Sequence, residues 1–316
     1  MNSEHSVIKE KTISLVLSSG GAKGYAHIGV IKALEEEGYK IVSVAGTSMG
    51  ALVGGLYAAG KLDEAYEWLR NIDSWEVFKL ADLKNFSKSG LINGEYLFKE
   101  LHRIVGDVKI EDLRIPFCAV AANLDSGEEV VFRKGRLVDA IRASISLPLF
   151  FSPYSLAGTR LVDGGVVNGL PLNRIVHIEG SRLMAVNLDT YGAKTDKESV
   201  KNILQTWSSK KELSNLVLPL LYAMVPQLAL TKVASLVFKP IISKLWNVLK
   251  SDSMVTILLN SFFIALKQNK LEMVERMHPD IYINIDLQGY KTQSFTDAEV
   301  IAKLGYTQTK LAMRKN

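Results

Sequence analysis

The chain has 316 residues, of which 47% are hydrophobic, and a formal net charge of +5. This length holds one large domain or two, and the hydrophobic fraction excludes a disordered protein. The single cysteine, Cys118, forms no disulfide within the chain, and its apolar surroundings predict a buried thiol. No cluster of residues has metal-ligand spacing. The polar residues 1–11 lack the apolar core of a secretory signal, which predicts a cytoplasmic protein.

The first predicted strand, Ile13–Leu17, leads into the glycine-rich run Ser19–Gly24 and then a helix, Tyr25–Glu37. A glycine-rich turn in this position exposes several backbone N–H groups, which can bind a phosphate or an oxyanion. A Walker A loop needs Gly-Lys followed by Ser or Thr, whereas Lys23 precedes Gly24. The dinucleotide fingerprint needs glycine where Ser19 stands. The run therefore favours an oxyanion hole.

The second predicted strand, Ile41–Ala45, is followed by Gly46-Thr47-Ser48-Met49-Gly50 and by a helix of small residues, Ala51–Ala59. Strand, sharp turn and helix are the context of the nucleophile elbow G-x-S-x-G. A side chain at Gly46 or Gly50 would clash with the neighbouring strand or helix. The turn would expose the Ser48 hydroxyl at a helix N-terminus, which favours developing negative charge. On these five residues alone, an ordinary turn with a serine cap stays open.

Further strands are predicted near residues 116–122, 128–132, 160–162 and 183–188, alternating with helices that include Glu95–Val105. This alternation predicts a three-layer α/β/α sandwich with a mainly parallel sheet. Adjacent parallel strands would place the loop at Ser19–Gly24 beside the one at Ser48.

The general base has two kinds of candidate. Asp163 ends the predicted strand Thr159–Val162 and precedes Gly164 and Gly165, so its carboxylate can accept the Ser48 proton or orient a water molecule. A plain turn aspartate is the alternative. Of the five histidines, only His27 lies near a motif, and surface or packing histidines are common.

Residues 193–278 are predicted to form a helical, apolar and basic insertion or cap between a core of residues 1–192 and a returning strand and helix at 279–316. Residues 201–250 contain seven lysines and one acid, a net +6, while the rest of the chain sums to −1. This local basic face, without interleaved aromatic residues, argues against nucleic-acid binding.

The helical spacing in this region groups apolar residues on one face and lysines on the other: Leu230, Val233, Val237 and Phe238 against Lys232 and Lys239. One interpretation is packing on the core or in a homodimer interface, with solvated lysines. The other is an interfacial surface that contacts an anionic membrane peripherally. Prolines and polar residues interrupt the longest apolar run, which disfavours a spanning helix.

Together these motifs resemble the patatin-like phospholipase family, serine lipid acyl hydrolases with a Ser-Asp dyad. The resemblance covers residues 12–190 and includes the block Ala143–Pro148. It implies Ser48 as nucleophile, Asp163 as base and no cofactor. It further implies oxyanion donors and supporting residues in the motifs: Gly20, Gly21 and Ala22 as donors, and Ser19, Lys23, Gly24, Gly46, Gly50, Gly164 and Gly165 as support. Ser19 replaces the first glycine that family members often have.

The implied substrate is a phospholipid, a lysophospholipid or another fatty-acyl ester. Two alternatives stay open. A histidine-dependent α/β-hydrolase would require a histidine such as His27 or His177, and a non-enzymatic lipid-binding or regulatory protein would keep the fold without turnover.

Overall fold

The computed structural model describes residues 11–70, 95–148, 151–189, 254–287, 289–290 and 297–314. Contacts divide the chain into two units: Met1–Asp82 with Phe86–Thr190 and Leu266–Asn316, and Leu83–Asn85 with Tyr191–Ala265. The first unit contains the sheet. In the second, the structure describes only the helical residues 254–265. The domain boundaries at 192/193 and 278/279 stay predictions.

The described strands form one eight-stranded mixed sheet in the order β5-β6-β3-β2-β1-β7-β8, with β4 paired to β3. The neighbours β3, β2, β1, β7 and β8 are parallel, whereas β4 and β6 run antiparallel to β3. The bounds are β1 Lys11–Leu17, β2 Tyr39–Thr47, β3 Phe117–Asn123, β4 Glu129–Phe132, β5 Tyr154–Leu156, β6 Thr159–Asp163, β7 Arg182–Asn187 and β8 Ile281–Asn284. The prediction of a mainly parallel sheet is confirmed.

Helices cover both faces of this sheet. The described helices are α1 Tyr25–Glu36, α2 Met49–Ala58, α3 Leu62–Arg70, α4 Glu95–Val105, α5 Leu137–Ser144, α6 Gly165–Asn168, α7 Met254–Met277 and α8 Ala298–Met313, with short 3-10 turns at Gly21–Gly24 and Ile110–Asp112. Side chains alternate along a strand. Leu15 and Leu17 therefore pack in the large core with α1, α2 and α8, whereas Val16 packs with Met273 of α7. The α/β/α sandwich is thus confirmed.

Small residues set the spacing within these layers. Cys118 of β3 is buried beside Ala45, its partner on β2, which confirms the predicted buried thiol. On the opposite face, α8 lies directly against α1. A Cβ atom at Gly29 would lie 1.8 Å from the carbonyl oxygen of Ala302, and one at Gly305 would lie 2.1 Å from that of Ala26. The two helix backbones can therefore approach closely only because both positions lack a side chain.

The structure differs from the sequence predictions mainly at element ends and at β5. Strand β2 continues to Thr47 and α2 begins at Met49, so the turn between them is shorter than predicted. Strand β5 was not predicted. It joins β6 through Ala157 and Gly158, which both have a positive φ (47° and 82°). Because alanine seldom adopts this conformation, the residues of this turn do not indicate a hairpin. Among the described helices, none is both long and apolar enough to span a bilayer.

We predict that Gly305→Ala lowers the free energy of unfolding by about 1–3 kcal/mol. Helix propensity alone would predict a gain of up to about 1 kcal/mol, so the sign of the change distinguishes the two effects. Urea unfolding of the full chain measures it. Leu311→Ala, on the exposed side of the same helix, should change stability by no more than about 0.5 kcal/mol. A Gly305→Ala variant that is more stable than the wild type would contradict the close helix contact.

Candidate active site

The turn that presents Ser48 is a single strained residue. Ser48 links β2 to α2 with φ 56° and ψ −124°, a positive φ that a residue with a side chain rarely adopts. The flanking glycines make this possible. A Cβ atom at Gly46 would lie 2.3 Å from the backbone of Gly50, and one at Gly50 would lie 2.3 Å from the carbonyl oxygen of Leu17 in β1. The elbow is therefore enclosed by backbone on both sides.

A second serine holds the backbone of this turn. The N–H of Ser48 donates to Oγ of Ser144 (2.9 Å), and the Ser144 hydroxyl donates to the carbonyl oxygen of Val120 in β3 (2.6 Å). Ser144 is fully buried at the end of α5. Sequence reasoning placed Ser144 in a family block without giving it a contact, because a serine in an apolar segment does not indicate which distant N–H group it accepts.

The Ser48 hydroxyl donates to Oδ2 of Asp163 at 2.5 Å. The other oxygen, Oδ1, accepts the N–H of Gly165 at 2.7 Å. Ser48 directly follows β2 and Asp163 is the last residue of β6, and these two strands lie on either side of β3 in the sheet. A Cβ atom at Gly164 would lie 2.2 Å from the carbonyl oxygen of Val120, so the glycine lets this turn lie against β3. The structure thus brings together two residues 115 positions apart.

The environment of Asp163 makes it a stronger base than a free aspartate. Its side chain is buried, and this burial raises its pKa from 3.8 to about 6. The hydrogen bonds from Ser48 and Gly165, together with the positive charge of Lys270, act in the opposite direction and only partly offset the burial. The resulting pKa lies closer to neutrality, where a general base is most effective.

The glycine-rich loop lies directly against the elbow. A Cβ atom at Gly24 would lie 2.3 Å from Cβ of Met49, the residue after Ser48. Gly20 precedes the 3-10 turn Gly21–Gly24, and the first N–H groups of a helical turn have no partner within the turn. The loop and the elbow follow β1 and β2, which are adjacent and parallel. Backbone N–H donors therefore lie on the side of the sheet where Ser48 is presented.

A lysine from far along the chain also contacts this loop. Lys270 of α7 is 4% exposed, and its Nζ donates to the carbonyl oxygen of Ser19 at 2.9 Å and lies 3.0 Å from Oδ2 of Asp189. Lys23 is half-buried nearby. Its pKa is lowered by burial and by the cations Lys270 and Lys267, while Asp189 opposes this change. Sequence reasoning missed Lys270 and Asp189. A lysine in a polar run of a helix carries no signal for a contact 251 positions away.

The histidine nearest the motifs has another partner. His27 is fully buried, and its Nε2–H donates to the carbonyl oxygen of Ser18 at 2.9 Å. Burial lowers its pKa to about 4. The Ser48 hydroxyl donates instead to the Asp163 carboxylate. His27 therefore supports the backbone at the start of the glycine-rich loop.

The proposed membrane-contact residues lie outside the described residues: Leu230, Lys232, Val233, Val237, Phe238 and Lys239. Across the part of the chain that the structure describes, no three His, Cys, Asp or Glu side chains converge as metal ligands would.

Comparison with known proteins adds an independent finding. The family model for patatin-like phospholipase matches residues 15–175. An uncharacterised NTE-family protein of Mycobacterium tuberculosis is 41% identical over 198 residues, which are 63% of this chain and 55% of that protein. Patatin-like phospholipase domain-containing protein 6 of Homo sapiens is 32% identical over 208 residues (64% of this chain, 15% of that protein). Neuropathy target esterase sws of Drosophila melanogaster is 32% identical over 203 residues (62% and 14%). The chain thus spans about half of the mycobacterial relative and a small part of the other two.

We predict that Ser144→Ala lowers the free energy of unfolding by about 1–3 kcal/mol, because the buried N–H of Ser48 loses its acceptor. Denaturant unfolding monitored by circular dichroism measures this loss. Ser155→Ala removes an exposed hydroxyl from β5 and should be nearly neutral. Equal stability of the two variants would show that Ser144 does not hold the elbow.

Proposed function

Because the chain belongs to the patatin-like phospholipase family, we propose that it is a serine lipid acyl hydrolase in which Ser48 is the nucleophile and Asp163 the general base. The observation that carries this proposal is the 2.5 Å hydrogen bond from the Ser48 hydroxyl to Asp163, made at a strained strand-to-helix turn. Residues that form a nucleophile–base pair must lie within hydrogen-bond reach, and these two do.

In the first step, Oγ of Ser48 attacks the carbonyl carbon of a fatty-acyl ester while Oδ2 of Asp163 takes the hydroxyl proton. The carbonyl C=O electron pair moves onto oxygen. When the tetrahedral intermediate collapses, the ester C–O bond breaks, and Asp163 returns the proton to the departing alcohol or lysolipid. The acyl group is now bonded to Ser48. The raised pKa of Asp163 favours the first of these transfers, in which the carboxylate takes the proton.

The negative charge of the intermediate needs donors that are already in place. We assign this role to the backbone N–H groups of Gly20, Gly21 and Ala22, which the resemblance implies and which the loop's position beside Met49 supports. Helix α2 begins at Met49, so its positive end also lies next to the reacting hydroxyl. Removing one such donor in other hydrolases costs about 10²–10³ in kcat.

In the second step, Asp163 takes a proton from a water molecule that attacks the acyl carbonyl carbon. The bond to Oγ of Ser48 breaks, the proton returns to Oγ, and the fatty acid leaves. The same carboxylate thus acts as base and acid in both halves of the reaction, and its second oxygen stays bound to the N–H of Gly165.

The substrate and the membrane contact are further parts of the proposal. The family suggests a phospholipid, a lysophospholipid or another fatty-acyl ester. The net charge of +6 on residues 201–250, together with the apolar spacing there, supports peripheral contact with an anionic membrane. A homodimer interface is the alternative use of the same residues.

We predict that Ser48→Ala abolishes labelling by a fluorophosphonate probe and release of fatty acid, because the attacking oxygen is gone. Asp163→Asn should keep Ser48 but lower kcat by about 10²–10⁴, because an amide cannot take the proton. Labelling kinetics and fatty-acid release from short-chain esters measure both effects. Vesicles with and without anionic lipid test the substrate class in the same experiment.

Matched controls lie side by side in an exposed turn. Asp125→Asn and Ser126→Ala make the same chemical changes at exposed side chains that bond to Arg160 and Glu128, and both variants should retain wild-type turnover. Full hydrolysis by Ser48→Ala would overturn the proposed nucleophile. Vesicle binding by a wild-type protein that neither labels nor turns over would instead favour the non-enzymatic lipid-binding alternative.

We predict that kcat/KM for a short-chain ester falls about tenfold per pH unit below pH about 6. Asp163 acts in its ionised form, and its pKa is raised from 3.8 to about 6, so activity is present above that pH and lost below it. Initial rates between pH about 4.5 and pH about 8, with circular dichroism to confirm folding, measure this limb. Because the pKa of His27 lies near 4, a His27→Gln variant should show the same decrease of kcat/KM below pH about 6. Undiminished activity at pH about 4.5 would contradict this assignment.

A further inference from the structure

The buried ammonium group of Lys270 has two partners that belong to different parts of the site. It donates to the carbonyl oxygen of Ser19 in the glycine-rich loop and pairs with Asp189, which follows β7. Burying a lysine is costly unless its charge is paired and its protons are donated. Because this buried lysine donates to one carbonyl oxygen of the loop, we expect the contact to fix the orientation of that peptide group.

Both backbone polar groups of Ser19, its N–H and its carbonyl oxygen, have hydrogen-bond partners. The N–H of Ser19 donates to the carbonyl oxygen of Gly169 at 2.8 Å. Its carbonyl oxygen accepts from Nζ of Lys270 at 2.9 Å and from the neutral hydroxyl of Ser18 at 3.1 Å. A Cβ atom at Gly169 would lie 2.7 Å from Cε of Lys270, so the absence of a side chain at that position gives the lysine stem its path. Gly169 therefore supports both hydrogen bonds of Ser19: its carbonyl oxygen accepts the N–H, and its lack of a side chain leaves room for Lys270.

The carbonyl of Ser19 and the N–H of Gly20 belong to the same planar peptide group. In a trans peptide these two bonds point in opposite directions, so a donor that fixes the carbonyl also fixes the direction of the Gly20 N–H. A charged donor on the carbonyl polarises the peptide and strengthens its N–H as a donor. Without the lysine, only the neutral hydroxyl of Ser18 would hold this carbonyl, and the flexibility of Gly20 would let the peptide rotate.

Asp189 keeps the ammonium group in place. Burial raises the pKa of Asp189, but the cations of Lys270, Lys23 and Lys267 more than offset this effect, so its pKa lies below the ordinary value. The carboxylate is therefore ionised at neutral pH, and it faces a cation that also contacts the loop.

We propose that Lys270 is a positioning residue for acyl transfer, holding the Ser19–Gly20 peptide so that the Gly20 N–H is directed at the oxyanion. This inference rests on the proposed function, and it adds a residue outside the three motifs. Lys270 acts through the backbone and does not touch the substrate.

The test compares Lys270→Met with the double variant Lys270→Met/Asp189→Asn in the full chain. The single variant removes the ammonium group that pairs with the half-buried carboxylate of Asp189, so both stability and kcat should fall. The double variant removes that carboxylate charge and should regain stability. Its kcat should stay about 10–100-fold below wild type, because the Ser19 carbonyl keeps only the neutral Ser18 hydroxyl and lacks its charged donor. KM should change by less than about threefold, since the loss concerns the transition state.

The matched control is Lys303→Met, which removes an exposed cation from α8 and should retain wild-type kcat. All rates are expressed per fluorophosphonate-labelled Ser48, so unfolded molecules do not count. A double variant that regains kcat together with stability would show a purely structural role and overturn the inference. Wild-type kcat in the single variant would also overturn it. A wild-type protein without labelling or turnover would instead overturn the proposed function itself.

Discussion

The hydrogen bond between Ser48 and Asp163 depends on β3, the strand that lies between the two residues in the sheet. Val120 of β3 has a carbonyl oxygen that accepts the Ser144 hydroxyl, and the turn at Gly164 lies against the same oxygen. The backbone of β3 thus positions both Ser144, which binds the N–H of Ser48, and the turn that follows Asp163. A small shift of β3 would therefore move both Ser48 and Asp163. The close contact at Gly164, which leaves no room for a Cβ atom, keeps the aspartate turn in a fixed position against β3.

Close backbone contacts also position the loops that follow the parallel strands β1 and β2. Strand β1 ends beneath the glycine-rich loop, β2 ends at the elbow, and the carbonyl oxygen of Leu17 lies where a side chain on Gly50 would be. The loop, the elbow and the aspartate turn come from strands β1, β2 and β6, and each is followed by a helical turn. The positive ends of the turns that follow β1 and β2 lie at the glycine-rich loop and at Ser48, where the proposed reaction builds up negative charge.

The sequence was sufficient to predict what is encoded locally. The elbow around Ser48, the turn after Asp163 and the mainly parallel sheet all have short signals in strand pattern and glycine spacing. Ser144 and Lys270 could not be predicted to contact the site, because their partners, the N–H of Ser48 and the carbonyl of Ser19, are backbone groups brought near only by the completed fold. Strand β5 was missed for another reason, since its turn uses an alanine at positive φ.

The position of Lys270 in the chain also orders the assembly of the site during synthesis. A ribosome makes the residues of the elbow, the glycine-rich loop and Asp163 first, and α7 emerges much later. Until then the carbonyl of Ser19 has no ammonium partner, even if β1 and β2 have already paired. The nascent chain would thus contain the proposed nucleophile and base before Lys270 can contact the loop, so the proposed hydrolytic activity would come late in synthesis.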